Sequence, residues 1–353
     1  KNSELRTTIG TNALTQEIDF YSGRTINYLS RDQGGRAEVT NRRFRSWQFE
    51  NYMTYSRQIA EIHSFSGLLG LSWQHLDQFS ATAASWQFSD DYFSYNNLSV
   101  ASNPRPPSSG SNAYGLNSYF GRINYSLKQK YLLTFTGRAD GSSKFGSDNR
   151  YAFFPSAALA WRISEENFIK NNIPVISELK LRASYGITGN SEISAYSGLA
   201  GLGNYSVIFS GARASGIGIN RLANPELKWE KTHQSDFGIE LGLLNNRISI
   251  EFDAYYKLTK DMLLSAPVPA SSGYSAVNKN IGSMENRGIE FTLNTVNISS
   301  KDFSWSTSYN ISVNKNEVLS LSVGNADIVT GAWGSNIIRV GEPVGSFFGF
   351  IRL

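Results

Sequence analysis

The sequence predicts an all-β protein, an antiparallel transmembrane β-barrel. Three observations carry that prediction: period-2 alternation over segments as long as a bilayer crossing, tight turns at one end of the hairpins with long loops at the other, and aromatics gathered near the tight turns on one parity. A barrel meets lipid outside and solvent inside, so each strand needs one apolar and one polar face. A soluble sandwich makes the same alternation. Strand length, turns and aromatics decide against it.

Residues 38–81 read as long strands extending above the bilayer, with Phe44, Trp47, Phe49, Tyr52 and Tyr55 followed by the strand-like stretch from Phe65 to Leu76. Arg42, Arg43 and Arg45 interrupt their alternation. Residues 99–112, with Asn103-Pro104-Arg105-Pro106-Pro107 and a Ser/Gly run, read as an exposed loop. From Tyr119 the pattern is regular: Tyr119, Ile123, Tyr125 and Leu127 share a face up to the turn Lys128-Gln129-Lys130. Tyr131, Leu133, Phe135 and Gly137 return against Leu132, Thr134, Thr136 and Arg138. After a loop over 140–148, Phe153, Pro155, Ala157, Leu159, Trp161 and Ile163 come back down. Residues 164–177, with an acidic pair and Pro174, predict a cap holding a short helix. Leu179, Leu181, Ala183, Tyr185 and Ile187 rise again into a Gly/Ser/Asn-rich loop over 189–224.

Alternation is strictest over 226–313. Phe237, Ile239, Leu241 and Leu243 oppose Gly238, Glu240 and Gly242, and a turn over 244–247 leads into Ile248, Ile250, Phe252, Ala254 and Tyr256. A loop over 265–285 precedes Ile289, Phe291 and Leu293, and the last pass carries Phe303, Trp305, Thr307, Tyr309, Ile311 and Val313. Tight turns at 128–130, 245–246 and 299–301 share one end of the hairpins, as on the periplasmic side of an outer-membrane barrel. Tyr125, Tyr131, Trp161, Phe303 and Trp305 lie there on the outward parity, where an interfacial girdle belongs.

Composition excludes several classes. No apolar run approaches the ~20 residues of a membrane helix, which leaves crossing by strands. With no cysteine there are no disulfides or thiolate metal sites. The net charge of +4 comes without a basic block, so no nucleic-acid partner is expected. Lys1 is not a start methionine and residues 347–353 end inside an apolar segment. The chain is therefore read as a piece of a longer protein, with 1–353 one barrel portion and no separate second domain.

No enzyme, cofactor or metal site is expected. His63, His75 and His233 lack metal spacing. Paired acids such as Glu251 and Asp253 suit a solvated barrel wall better than general acid–base work. The oxygen-rich loop 140–148 lacks EF-hand spacing. Gly201-Leu202-Gly203 and Gly216-Ile217-Gly218 precede no helix, so they cradle no phosphate.

Several segments carry a resemblance. They are Arg138-Ala139-Asp140-Gly141-Ser142-Ser143-Lys144-Phe145-Gly146, Asn224-Pro225-Glu226-Leu227-Lys228-Trp229-Glu230-Lys231-Thr232, and Asn245-Asn246-Arg247-Ile248-Ser249. Further on come Asn280-Ile281-Gly282-Ser283-Met284-Glu285-Asn286-Arg287-Gly288-Ile289-Glu290, Asn310-Ile311-Ser312-Val313-Asn314-Lys315-Asn316 and the run from Gly341 to Gly349. In this order they resemble the SusC/RagA family of TonB-dependent outer-membrane transporters, over residues 138–349. The resemblance implies a 22-stranded barrel plugged by an N-terminal domain, with plug, TonB box and last strands absent from this chain. It implies a bacterial outer-membrane location, a SusD-like surface lipoprotein as partner, energy from TonB, and import of oligosaccharides or oligopeptides.

On that reading Arg138, Arg182, Glu240, Glu251 and Asp253 line the lumen wall facing plug or substrate. Sugars are held by aromatic stacking and amide hydrogen bonds, so Asn204, Tyr205, Phe209, Tyr274 and Trp333 are the loop candidates for ligand binding. Trp229 is read as an upper-girdle or rim residue with a structural role. Two alternatives stand beside this reading: a TonB-dependent receptor for another ligand such as an iron chelate, and a barrel enzyme. The latter needs a Ser/His or acidic set on one inward face, and no histidine is matched with an inward serine.

Overall fold

The computed structural model describes residues 2–26, 28–321, 324–331 and 334–349. Strands dominate. In chain order they begin with β1 (Asn2–Ser22), β2 (Arg36–Ile59), β3 (His63–Phe88), β4 (Ala101–Pro104) and β5 (Ser108–Leu127). There follow β6 (Tyr131–Ser142), β7 (Tyr151–Arg162), β8 (Ile176–Asn190), β9 (Gly201–Phe209) and β10 (Ala212–Arg221). Then come β11 (Glu230–Leu243), β12 (Ile248–Lys260), β13 (Leu263–Pro267), β14 (Ala276–Asn280), β15 (Ser283–Ser299) and β16 (Ser304–Ser320). Among the described residues helix is limited to the short α1 (Tyr28–Gln33) and α2 (Asn167–Lys170), apart from single 3-10 turns. No helix among the described residues is long and apolar enough to cross a membrane.

One 12-stranded sheet runs β1-β2-β3-β5-β6-β7-β8-β11-β12-β15-β16, with β4 paired to β3; β9–β10 and β13–β14 form separate hairpins. The chain divides into two compact units, one of residues 7–51 and 72–117, the other of residues 1–6, 52–71 and 118–353.

In the larger unit the predicted alternation becomes register. Leu181, Ile239, Phe252, Phe291 and Ile311 lie side by side across β8, β11, β12, β15 and β16. The next row toward the tight turns is Leu179, Leu241, Ile250, Leu293 and Tyr309. In the other direction, Ala183, Phe237, Ala254, Ile289 and Val313 end the apolar band, and Tyr185, Ser235, Tyr256, Arg287 and Lys315 begin a polar row. Large apolar side chains on this face stay exposed, Phe135 at 55% and Val313 at 58%. That is how a wall covered by hydrocarbon reads.

Tight turns form where expected. Lys128 and Gln129 take positive φ, as do Leu244, Asn245 and Asn246, the conformation asparagine tolerates best after glycine. Beside the first of these turns Tyr131 stacks on Trp161 with ring centroids 6.2 Å apart. The predicted cap over 164–177 contains α2, and Glu166 at its start gathers both rings. Its carboxylate accepts from the Tyr131 hydroxyl at 2.6 Å, Lys130 at 2.9 Å and Trp161 Nε1 at 3.2 Å. Those bonds, the Tyr131 hydroxyl first and Lys130 next, pull the Glu166 carboxyl down to about 2. Tyr125 accepts or donates a 2.8 Å bond with His63, also near a tight turn.

The loop expectations need correction. Residues 99–112 are not a loop throughout: β4 pairs with β3, matching Ser85 with Pro104 and Phe88 with Ala101, and β5 already begins at Ser108. Small residues gave no side-chain period there, and the backbone ladder makes the strand. Stretches 189–224 and 265–285 are likewise not plain loops, since each holds a hairpin, β9–β10 and β13–β14. Ahead of residue 38, where no element was assigned from the sequence, the chain contains β1 over 21 residues. Strands β2 and β3 lie where long strands were expected.

Candidate functional site

The inward face of β8, β11 and β12 carries a charged network built by register. Arg182 on β8, Gly238 on β11 and Asp253 on β12 stand in one row. Glycine in a strand interior marks a close approach by another group, and here it opens the space through which Arg182 crosses β11. A Cβ at position 238 would collide with Asp253 Oδ1 and stand 3.0 Å from the guanidinium carbon of Arg182. Across that gap Arg182 Nη2 donates to Asp253 at 2.9 Å and to Glu251 at 2.8 Å. Its Nε lies 2.8 Å from Glu240 Oε1, and Lys180 Nζ reaches the same carboxylate at 3.1 Å. Gly288 repeats the device: Tyr255 lies over it and donates to Asn314 at 3.1 Å.

Below the network is a concavity of about 360 Å³ lined by Thr134, Lys180, Arg182, Ser184, Asp236 and Asp253. Two carboxylates and two cations share its lining. Three carboxylates lie within ion-pair distance of Arg182, its Nη2 donating to Glu251 and Asp253 while its buried Nε makes no hydrogen bond, so the wall offers fixed polarity. Arg138 is placed separately: it donates to Asp140 at 2.7 Å and to Ser118 at 2.7 Å, with its guanidinium 5.2 Å from the Phe120 ring centre. Among the described residues no cluster of His, Asp and Glu could hold a metal ion.

At the long-loop end a small core forms. Phe145, Phe154, Leu227 and Trp229 are buried together, with Ile187, Ile193 and Leu263 packed against them. Trp229 meets Phe145 at 5.5 Å and Phe154 at 5.4 Å, and its Nε1 donates to the Arg150 carbonyl at 2.9 Å. Trp229 is thus a rim residue, only 6% exposed, and not part of a lipid-facing girdle. Asn280 fastens the neighbouring loop, accepting from Lys228 N at 2.8 Å and donating to the carbonyls of Lys228 and Asp261 at 2.7 and 2.9 Å. Motif segments 138–146, 224–232 and 280–290, far apart in sequence, therefore meet at one rim.

The loop candidates are placed on hairpins. Asn204 and Tyr205 sit in β9, opposite Ile217 and Gly216 of β10, and Phe209 ends that strand at 73% exposure. Tyr205 donates its hydroxyl to the Ile219 carbonyl at 3.1 Å, which fixes its ring across the hairpin. Tyr274 follows the turn that links β13 to β14, its backbone N–H donating to Ser272 Oγ at 3.3 Å. Trp333 lies outside the described residues. Sequence reading missed Gly238, Gly288 and the burial of Trp229; a glycine inside an otherwise regular strand was the available signal.

Residues 2–344 match the family described as TonB dependent receptor-like, beta-barrel. The chain belongs to that family. It is 39% identical over 353 residues to TonB-dependent receptor P3 of Formosa agariphila, covering 98% of this chain and 35% of the relative. It is also 46% identical over 213 residues to TonB-dependent receptor SusC of Bacteroides thetaiotaomicron, covering 59% of this chain and 21% of that protein. A solved structure of the RagAB peptide transporter superposes with a TM-score of 0.84 at 29% identity, over 98% of this chain and 38% of that one. The outer-membrane transporter YddB of Escherichia coli, at 13% identity and a TM-score of 0.57, shares the fold. The chain spans about a third of the length of P3 and about a fifth of that of SusC. The family read from the motifs is borne out: this TonB-dependent receptor barrel is of SusC/RagA type and belongs to the bacterial outer membrane. Its relatives are named as receptors and transporters, none as an enzyme.

Proposed function

We propose that this chain forms the wall of an importer that carries oligosaccharides or oligopeptides across the outer membrane together with a SusD-like surface lipoprotein. The whole of 1–353 belongs to the barrel, and TonB acts through a plug region in other parts of the protein. The single observation that carries the reading is the polar parity of the strands: Arg182, Glu240, Glu251 and Asp253 form one ion-paired network on the face opposite the apolar band. A wide lumen with a polar wall conducts unless plugged, and it offers binding without chemistry. Similarity to SusC and to the RagAB peptide transporter supports the same architecture. Asn204, Tyr205, Phe209 and Tyr274 are proposed to meet cargo or lid on the hairpin loops, and Arg138 to belong to the wall.

The test is purification of the full-length native protein from detergent-solubilised outer membrane, with identification of what accompanies it. A SusD-like lipoprotein in stoichiometric amount, carrying glycan or peptide, is the expected result. Recovery alone with a bound iron chelate would replace the importer reading with that of a lone receptor.

A further inference from the structure

The unit of residues 7–51 and 72–117 presents a second, chemically different concavity. On one face of β2 and β3 Trp47 stacks with His75 at 6.2 Å and Phe49 with Trp73 at 5.5 Å. Successive side chains of a strand point to opposite faces, so Gln48 and Gln74 project from the other side. There Gly10, Asn12, Gln48, Gln74, Leu76 and Tyr114 line a space of about 360 Å³. Gly10 makes the room: a Cβ at that position would stand 3.1 Å from Cγ of Gln48.

The amide side chains of Asn12, Gln48 and Gln74 are exposed and make no hydrogen bond among the described residues. Among the described residues no Asp, Glu, Lys or Arg lines the space, and its one imidazole is that of His75. Each amide presents a donor group and an acceptor side by side, a match for hydroxyls that both give and take hydrogen bonds. Leu76 and Tyr114 add apolar surface for C–H faces. A charged ligand would find no carboxylate, lysine or arginine as counter-ion here, and burying an unpaired charge is costly.

We propose that this concavity is a subsite for a neutral oligosaccharide. The proposal rests on the importer reading and narrows its cargo. It differs from the Arg182 wall in having no carboxylate, lysine or arginine on its described lining, so neutrality of the ligand is its distinguishing requirement.

The experiment uses the full-length protein with its co-purifying partners in detergent. Binding is read on an array of neutral oligosaccharides, uronate- or sulfate-bearing oligosaccharides, and peptides. Gln48→Leu/Gln74→Leu is compared with the native protein, and the near-isosteric Gln48→Glu/Gln74→Glu pair guards against misfolding of the first. The expected result is binding of neutral glycans that falls at least about tenfold (roughly 1.4 kcal/mol) in both variants, while each still migrates as a folded, heat-modifiable barrel. Neutral glycans bound equally by the variants would overturn the subsite and leave the importer reading standing. Binding of acidic glycans or peptides alone would overturn the neutral class. No binding of any class would remove the subsite and the importer reading together.

Discussion

Wall strand β11 buries only its glycines, Gly238 and Gly242, whereas the rim beside it hides whole aromatic rings, with Phe145 at 3% exposure and Leu227 at 0%. The wall leaves its apolar rows to lipid and pairs its inner charges with one another, so its stability depends on surroundings and register. The rim supplies its own interior and behaves like a miniature soluble core. One β-chain thus uses two solutions, and the change falls within a residue or two, between Trp229 and Glu230.

Substitutions should separate the two. The largest effect is expected at the rim: Trp229→Ala deletes a ring packed on Phe145 and Phe154 and strands the Arg150 carbonyl, a loss of about 3–5 kcal/mol. Limited proteolysis should then cut the 190–229 segment while the strands persist; unchanged resistance would contradict a rim held by its own core. Next is the lipid face, where Phe291→Arg or Phe252→Arg should cost about 2–4 kcal/mol near mid-bilayer. Refolding yield into lipid vesicles measures it, and normal yields for both would reverse the inside–outside assignment.

A smaller effect, about 1–3 kcal/mol, is expected for Gly238→Val, which drives a side chain between Arg182 and Asp253 and leaves polar groups unpaired. Arg182→Met in the same background sharpens the point. If the double variant is no more stable than Gly238→Val alone, the glycine does not act through the ion pairs. The smallest effect is a pH dependence at the tight-turn end. Glu166 titrates near 4.5 when unfolded and about 2 when folded, so its contribution is present above 4.5 and fades as pH falls toward 2. Glu166→Gln should flatten that part of the acid-denaturation curve, and an unaltered curve would show that the carboxylate latch contributes nothing.

Much of the wall was legible because period-2 alternation is local: Phe237 to Leu243 states its own outward face. Turn chemistry at 244–247 was legible for the same reason. Strand β4 and the first half of β5 were not, because Ser108, Ser109 and Gly110 pair through backbone groups that every residue possesses. The hairpins within 189–224 and 265–285 were hidden likewise, behind the glycines, serines and prolines that usually signal loops.

By itself the sequence determined an all-β membrane wall, its two faces, the end carrying the tight turns, and the family. Those follow from periodicity and from residues adjacent in the chain. Only the tertiary structure decided that Arg182 reaches Asp253 across Gly238, that Trp229 is buried against Phe145 and Phe154, and that Gln48 and Gln74 share a concavity with Gly10. Each of these depends on inter-strand register, set by ladders between segments tens of residues apart. A shift of one residue would turn every such side chain to the opposite face.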